Sequence, residues 1–471
     1  MFIKQTRLVS GVIGLIACFV AGCETIDRAR TAQASAATVT NDVPAAVRSP
    51  HVNLHACKFV NFVEYAMTNR PDLAASRLAV SNAFLALTRV SSSRSLQIGL
   101  NGGFSQSTFN GSHFSWHQRR GKASGELMFD LLLVDFGRVD AQERQARENL
   151  IGLTRTLEER EFQVFYDVTK AYFTLLQNDA LLAVAQTNEH QYAVHLRQAE
   201  HLFDAGEAQK LDVLKARVDL SDARLMTINA SNDVMTAAAE FLRTLGLQAD
   251  RATRETVLPS VTNRLVETKR ELPVTKYDAV AGLALARTNA PSLKALRANV
   301  RAASSEVDYA VADLMPELSL SSAFSFSDPA WNWSWGFRAV QSLFTGYRKT
   351  TAVDMAVVGL QTARTELEAA EHALSRDLAV AVATRDNARQ SLVTARVEVA
   401  QAEENLQTVI EQYRVGAASR IDFTDAASRY ASALGTRVKA FYAEQMAEAA
   451  LIRLTGAVPS FTRKEKNGKV D

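Results

Sequence analysis

The chain repeats itself, and a repeat has to be recognised before domains are counted. The run from Ala66 to Arg77 matches the run from Ala286 to Arg297 at seven of twelve positions, with a constant offset of 220 residues. Farther along the offset is 210, pairing Leu133 with Leu343, Arg138 with Arg348, Glu158 with Glu368, Gly206 with Gly416, Asp212 with Asp422, Ala216 with Ala426 and Gly246 with Gly456. The first copy therefore holds ten extra residues, which fall in its 107–121 loop. A length of 471 residues would otherwise suggest about three domains. The duplication gives a different division, with a first copy over 58–249, a linker over 250–276, a second copy over 277–459 and a short tail over 460–471.

Within each copy the apolar period changes in the same order. Residues 72–93 read as a helix opened by Pro71. Leu96, Ile98, Leu100, Gly102 and Phe104 then alternate with polar or small residues, as do Leu127, Phe129 and Leu131, which is strand periodicity. The second copy repeats the pattern with Leu318, Leu320, Phe324 and Phe326, then with Trp331, Trp333, Trp335 and Phe337. The spacing predicts strand hairpins over 95–132 and 317–343, long helices over 136–204 and 346–414, and return helices over 208–246 and 418–456. Proline agrees: none of the nine lies between Pro71 and Pro259 or between Pro329 and Pro459, so both stretches permit long helices. In each copy the two shorter helices, placed end to end, match the long one in length. The expected fold is mainly α, with long duplicated helical hairpins and a small β part of four strands.

Four strands of about ten residues, apolar on one face, have the length and pattern of transmembrane β-strands, and the tryptophans suit an interfacial aromatic girdle. A soluble sandwich of two hairpins is the competing reading. Four strands cannot close a barrel, and open edges are forbidden in lipid, so a membrane sheet requires several chains. Three would supply twelve strands. The N-terminus favours export. Lys4 and Arg7 precede a 13-residue apolar run, 8–20, and Val20-Ala21-Gly22-Cys23 follows, the pattern of a signal peptide over 1–22 with a lipid-accepting Cys23 and a tether over 23–57. Cys18 after Leu15-Ile16-Ala17 is a second candidate with a shorter apolar run. Glu24 stands where an aspartate would signal retention in the inner membrane.

Other functions find little support. A net charge of +2 argues against a nucleic-acid binder. Asp135-Phe136-Gly137 spells a kinase magnesium motif but has no partner motifs. His113 and His117 lie in a Gly/Ser-rich loop, and His51, His55 and Cys57 are scattered in the tether, so no metal or cofactor is expected. No catalytic constellation is present, which speaks against an enzyme.

Several motifs carry a family resemblance over roughly 58–459. They are the repeated Asn-x-Pro-x-Leu entry (Asn69, Pro71, Leu73; Asn289, Pro291, Leu293), Leu133-Val134-Asp135-Phe136-Gly137-Arg138 with Leu343-Phe344-Thr345-Gly346-Tyr347-Arg348, and the turns from Phe203 through Gly206 to Ala216 and from Tyr413 through Gly416 to Ala426. With them the chain resembles the TolC-like outer-membrane channels, in their lipoprotein branch. The resemblance implies a homotrimer, with a shared twelve-stranded barrel in outer-membrane lipid above a periplasmic α-barrel. It implies partners as well: a periplasmic adaptor protein and an inner-membrane transporter, in a tripartite efflux pump or a type I secretion system. The linker 250–276 would sit in an equatorial belt. Aperture residues of the family carry over to Tyr413, Asp422 and Asp425, with Asp212 the matching position of the first copy. Adaptor docking falls to the tips at Gly206, Leu211, Gly416 and Ile421, and the girdle to Trp331, Trp333 and Trp335. The sequence departs from the pattern at Arg94, Leu132 and Ser342, where prolines are usual, and at Ala418, where a basic residue is usual and Arg420 lies two positions on.

Two readings remain for Asp422 and Asp425, three apart on one helical face. Converging from three chains, six carboxylates would attract cations and raise one another's proton affinity. Alternatively, they are first-turn acids favoured by the helix dipole. For the whole chain, the alternative to an exit channel is a lipid-anchored periplasmic coiled-coil scaffold without a pore.

Overall fold

Proline decides where the helices begin. The computed structural model describes residues 59–105, 122–206, 209–248, 279–327, 330–415 and 417–456, all within the unit Cys57–Asp471. Helix α1 (Phe59–Asn69) and helix α2 (Pro71–Ser91) are separated by Arg70 alone, whose extended backbone is what a following proline demands. Pro71 then opens α2 where its missing N–H leaves nothing unpaired. Strands β1 (Gln97–Ser105) and β2 (Lys122–Val134) lead into α3 (Arg138–Asp204) and α4 (Lys210–Thr244). The second copy runs α5 (Ala279–Asn289), α6 (Pro291–Ala312), β3 (Glu317–Ser327), β4 (Ala330–Val340), α7 (Arg348–Arg414) and α8 (Arg420–Thr455).

The long helices start two residues later than the periodicity predicts. Phe136 and Gly137 both have positive φ, as do Gly346 and Tyr347, and left-handed backbone cannot belong to an α-helix. Asp135 is the cap of this turn: its carboxylate accepts from Gly137 N at 3.2 Å and from Val139 N at 2.6 Å, satisfying donors that the first helical turn leaves free. That is the role of the Asp-Phe-Gly sequence here. The return helices also start two residues later than 208 and 418, after the extended residues Gln209 and Ser419.

Helices α3 and α7 have 67 residues each, about 100 Å at 1.5 Å per residue. Beside them α2 and α4 stack end to end, as do α6 and α8, and the joints explain the duplicated glycines. Gly246 (φ +80°) and Gly456 (φ +62°) terminate α4 and α8 in the left-handed conformation. Each is seated on the Asn-x-Pro entry of the helix above: a Cβ on Gly246 would lie 3.5 Å from the Asn69 carbonyl oxygen, and one on Gly456 only 3.0 Å from that of Asn289. Gly456→Ala should therefore cost about 2–4 kcal/mol through strain and crowding. Gly359→Ala, at a helical site with nothing within 4 Å, should leave stability unchanged or higher. Urea midpoints of the helical circular dichroism signal check this, and equal losses at both sites would refute the seating argument.

Across the helical part, α2 and α4 pack on α3, α3 also packs on α6 and α8, and these pack on α7. The tightest core lies at mid-length of α3. There Phe59 and Phe62 of α1 meet Phe165, Tyr172 and Phe173 of α3 and Phe241 of α4, with ring centroids 5.3–6.5 Å apart. The short helices α1 and α5 were not separately legible in the periodicity. α1 earns its place by delivering two of these rings.

The four strands form one antiparallel sheet in the order β1-β2-β3-β4. Its register brings the alternating apolar residues onto one face: Ile98 opposite Phe129, Leu100 opposite Leu127, Leu127 opposite Phe324, Phe324 opposite Trp333 and Phe326 opposite Trp331. A one-residue slip would scatter them over both faces, so the pattern itself selects the register.

Candidate functional site

Two regions carry chemistry. The first is the apolar face of the sheet. Trp331, Trp333 and Trp335 line β4 and are 69%, 63% and 65% exposed, with Ile98, Phe104 and Phe337 also exposed around them. Trp331 stacks on Phe324 at 6.1 Å, and Trp335 meets Phe337 edge-on at 6.4 Å. Ser322 interrupts the row, yet its hydroxyl accepts from the Trp333 indole N–H at 3.0 Å and donates to the Ser334 carbonyl, so no side-chain hydroxyl is left unpaired on that face there. So wide an apolar surface is untenable in water and needs a covering phase. Among the described residues no helix is long and apolar enough to cross a membrane.

The second region is the tip, where α3 turns into α4 and α7 into α8. Gly206, with φ +78°, makes the first turn, while Gly416 lies outside the described residues. Asp212 and Asp422 occupy the same place in their copies. Each is the third residue of a capping box, the carboxylate reaching back to the backbone N–H of Gln209 or Ser419. Asp422 accepts from Ser419 N at 2.8 Å and from its hydroxyl at 2.7 Å, and the Ser419 hydroxyl bond, followed by the backbone bond, holds its carboxyl below the usual range. Asp425 pairs with Arg429 at 2.9 Å one turn on. In a single chain both acids are thus held by their own helix, and both stay exposed. Leu211 and Ile421 sit one residue before the two capping aspartates, 52% and 67% exposed. Each places an apolar side chain in water at the outer end of a return helix.

Tyr413 is half-buried. Its ring lies 5.3 Å from that of His195 and 6.1 Å from Phe423, and burial, then the nearby Asp212, raise its phenol. Behind it Leu406, Phe423, Ala426 and Ala427 form a small core with Tyr192, whose hydroxyl donates to the Thr424 carbonyl at 3.5 Å. The two copies are tied by Arg420 of α8 and Asp219 of α4, 2.8 Å apart and mostly shielded from solvent. Arg420 thus provides a basic group in this turn even though Ala418 does not.

Sequence reasoning missed Asp219 and His195. His195 shares a helical face with Tyr192 and Ala199, which was a readable signal for burial. Asp219 had none, because its partner is 201 residues away. Cys23, the 250–276 linker, His51, His55, Cys57, His113 and His117 lie outside the described residues, and among the described residues no cluster of potential metal ligands occurs.

Comparison with known proteins agrees with this anatomy. The chain is 24% identical over 320 residues to the outer membrane efflux protein BepC of Brucella suis, an alignment spanning 66% of this chain and 67% of BepC. Its fold is similar to the outer membrane protein VceC of Vibrio cholerae, with a TM-score of 0.71 at 17% identity over 84% of this chain and 96% of VceC. It is also similar to the CmeC outer membrane channel of Campylobacter jejuni, with a TM-score of 0.73 at 14% identity over 84% and 85% of the two chains. Residues 63–247 and 282–457 match the family model of outer membrane efflux proteins, one match for each copy of the repeat, and the chain belongs to that family.

Proposed function

We propose that the protein is the passive exit duct of an envelope-spanning export machine, assembled from three copies and closed at rest at its periplasmic tip. The observation that carries this reading is the sheet: four strands, one mainly apolar face and, among the described residues, two unpaired edges. Lipid tolerates no open edge, so the sheet is completed by pairing β4 of one chain with β1 of the next. Three copies make twelve strands, above the minimum of about eight for a barrel.

The helices suit a closed ring as well. The outer flank of α2 and α4 exposes Leu78, Phe84, Leu225, Met226 and Ile228, and the free flank of α7 exposes Met355, Val358, Val393 and Val397. The two flanks are apolar strips on opposite sides of one chain, as a closed ring of identical subunits requires. Below, the six carboxylates of Asp422 and Asp425 would ring the aperture, and the exposed Leu211 and Ile421 would meet a periplasmic adaptor coupled to an inner-membrane transporter. Acylated Cys23 would add an anchor in the outer membrane.

The purified full-length protein, reconstituted in planar bilayers, should show discrete single-channel steps and cross-link as a trimer. A correctly folded trimer that stays silent even when Asp422 and Asp425 are replaced by alanine would refute the duct and favour a scaffold.

A further inference from the structure

We infer that His195 is a proton-sensitive positioning residue of the tip, holding it packed when the imidazole is neutral and releasing it on protonation. The inference rests on the duct reading for its physiological meaning, but its structural basis is independent.

His195 of α3 is 2% exposed. Its ring stacks on Phe423 of α8, with centroids 4.4 Å apart and planes 21° apart, and the ring of Tyr413 of α7 lies 5.3 Å away, tilted by 55°. One side chain thus joins three of the four helix ends at the tip. Its Nε2 is buried and has no hydrogen-bond partner among the described residues. In the neutral ring that carries its proton on Nδ1, that atom leaves only a lone pair unmet. In the imidazolium it is a charged N–H without an acceptor, a much costlier group to bury.

The charges around it do not compensate. Asp219 from α4 favours the cation and Arg420 from α8 opposes it, and these two are engaged with each other at 2.8 Å. Tyr413 from α7 and Tyr192 from α3 are neutral phenols, both raised by burial. Asp422 and the Asp425–Arg429 pair of α8 lie at the surface, the first bonded to Ser419. Desolvation prevails and lowers the affinity of His195 for a proton. The packed tip therefore binds fewer protons than the released one. Its stability is fully present above about pH 6.5, the value for a free histidine, and is lost as pH falls below it. The packed-to-released equilibrium then shifts by up to about tenfold per pH unit for each chain.

The experiment compares the wild-type protein with His195→Phe and His195→Gln in bilayers between pH 8 and pH 5. The wild type should gain open probability several-fold below pH 6.5, and both variants should lose that step. An identical pH response in the variants would overturn the inference. A second readout does not need conductance. Ala427, fully buried beside Phe423, is replaced by Cys in a Cys57→Ser background, and its rate of thiol labelling is measured with His195 or with Phe at position 195. The ratio of the two rates cancels the thiol's own titration. It should rise several-fold on acidification, and a flat ratio would overturn the inference even if the protein conducts. No conductance together with a rising ratio would sink the duct and leave the switch standing. Circular dichroism confirms that each variant is folded.

Discussion

Replacing Asp422 and Asp425 together by alanine should raise single-channel conductance several-fold and abolish block by a multivalent cation. Asp422 and Asp425 are three residues apart on the first turns of α8, both exposed, and the fold leaves their outer faces free. Three copies converging on an axis would concentrate six negative charges in an aperture, and a trivalent ion about 5 Å from even one of them gains roughly 2–3 kcal/mol in water. Yet Asp422 also closes a capping box, and its loss would fray the start of α8 at a cost of about 0.5–2 kcal/mol. Asp425→Ala separates the two effects, since that residue caps nothing and gives up only a surface pair with Arg429, worth under about 1 kcal/mol. Lost cation block in Asp425→Ala with unchanged thermal stability supports the ring. A conductance change that tracks only the Asp422 substitution assigns the effect to fraying.

Phe241→Ala should be the most damaging single core substitution, costing about 3–5 kcal/mol. Phe241 is fully buried and lies 5.4 Å from Phe62 and 6.0 Å from Tyr172, so it links α4, α1 and α3 in one cluster. Removing the ring empties a space bounded by rigid helices that cannot collapse into it. The denaturation midpoint of the helical signal should fall, while Phe241→Leu should retain more than half of the lost stability. Equal losses for both variants would show that shape rather than volume governs the site.

Much of this architecture was legible because it is local and repeated. A period of two marks four strands, a near-heptad period marks the long helices, and the doubled Asn-x-Pro and Gly motifs mark both ends of the stacked pairs. What escaped was the pairing of distant residues. Gly456 reads as an ordinary helix terminator, and only the fold shows the Asn289 carbonyl pressing against it. Arg420 is visible at the tip, but Asp219 is one of many helical acids until α4 and α8 are seen side by side. His195 shares an inward face with Tyr192 and Ala199, but its two ring partners, Tyr413 and Phe423, come from the second copy. Periodicity reports which face is inside and is silent on which partner waits there.

The two bare rims of the sheet have a kinetic consequence. One chain ends in two unpaired strands, and joining a second chain leaves the same number, so every open string is as incomplete as the monomer it grew from. Only the step that brings the last rim to the first removes both at once. In the proposed ring, completion would therefore be all-or-none and steeply dependent on chain concentration, with the helices, which need no such closure for their own hydrogen bonds, as its frame.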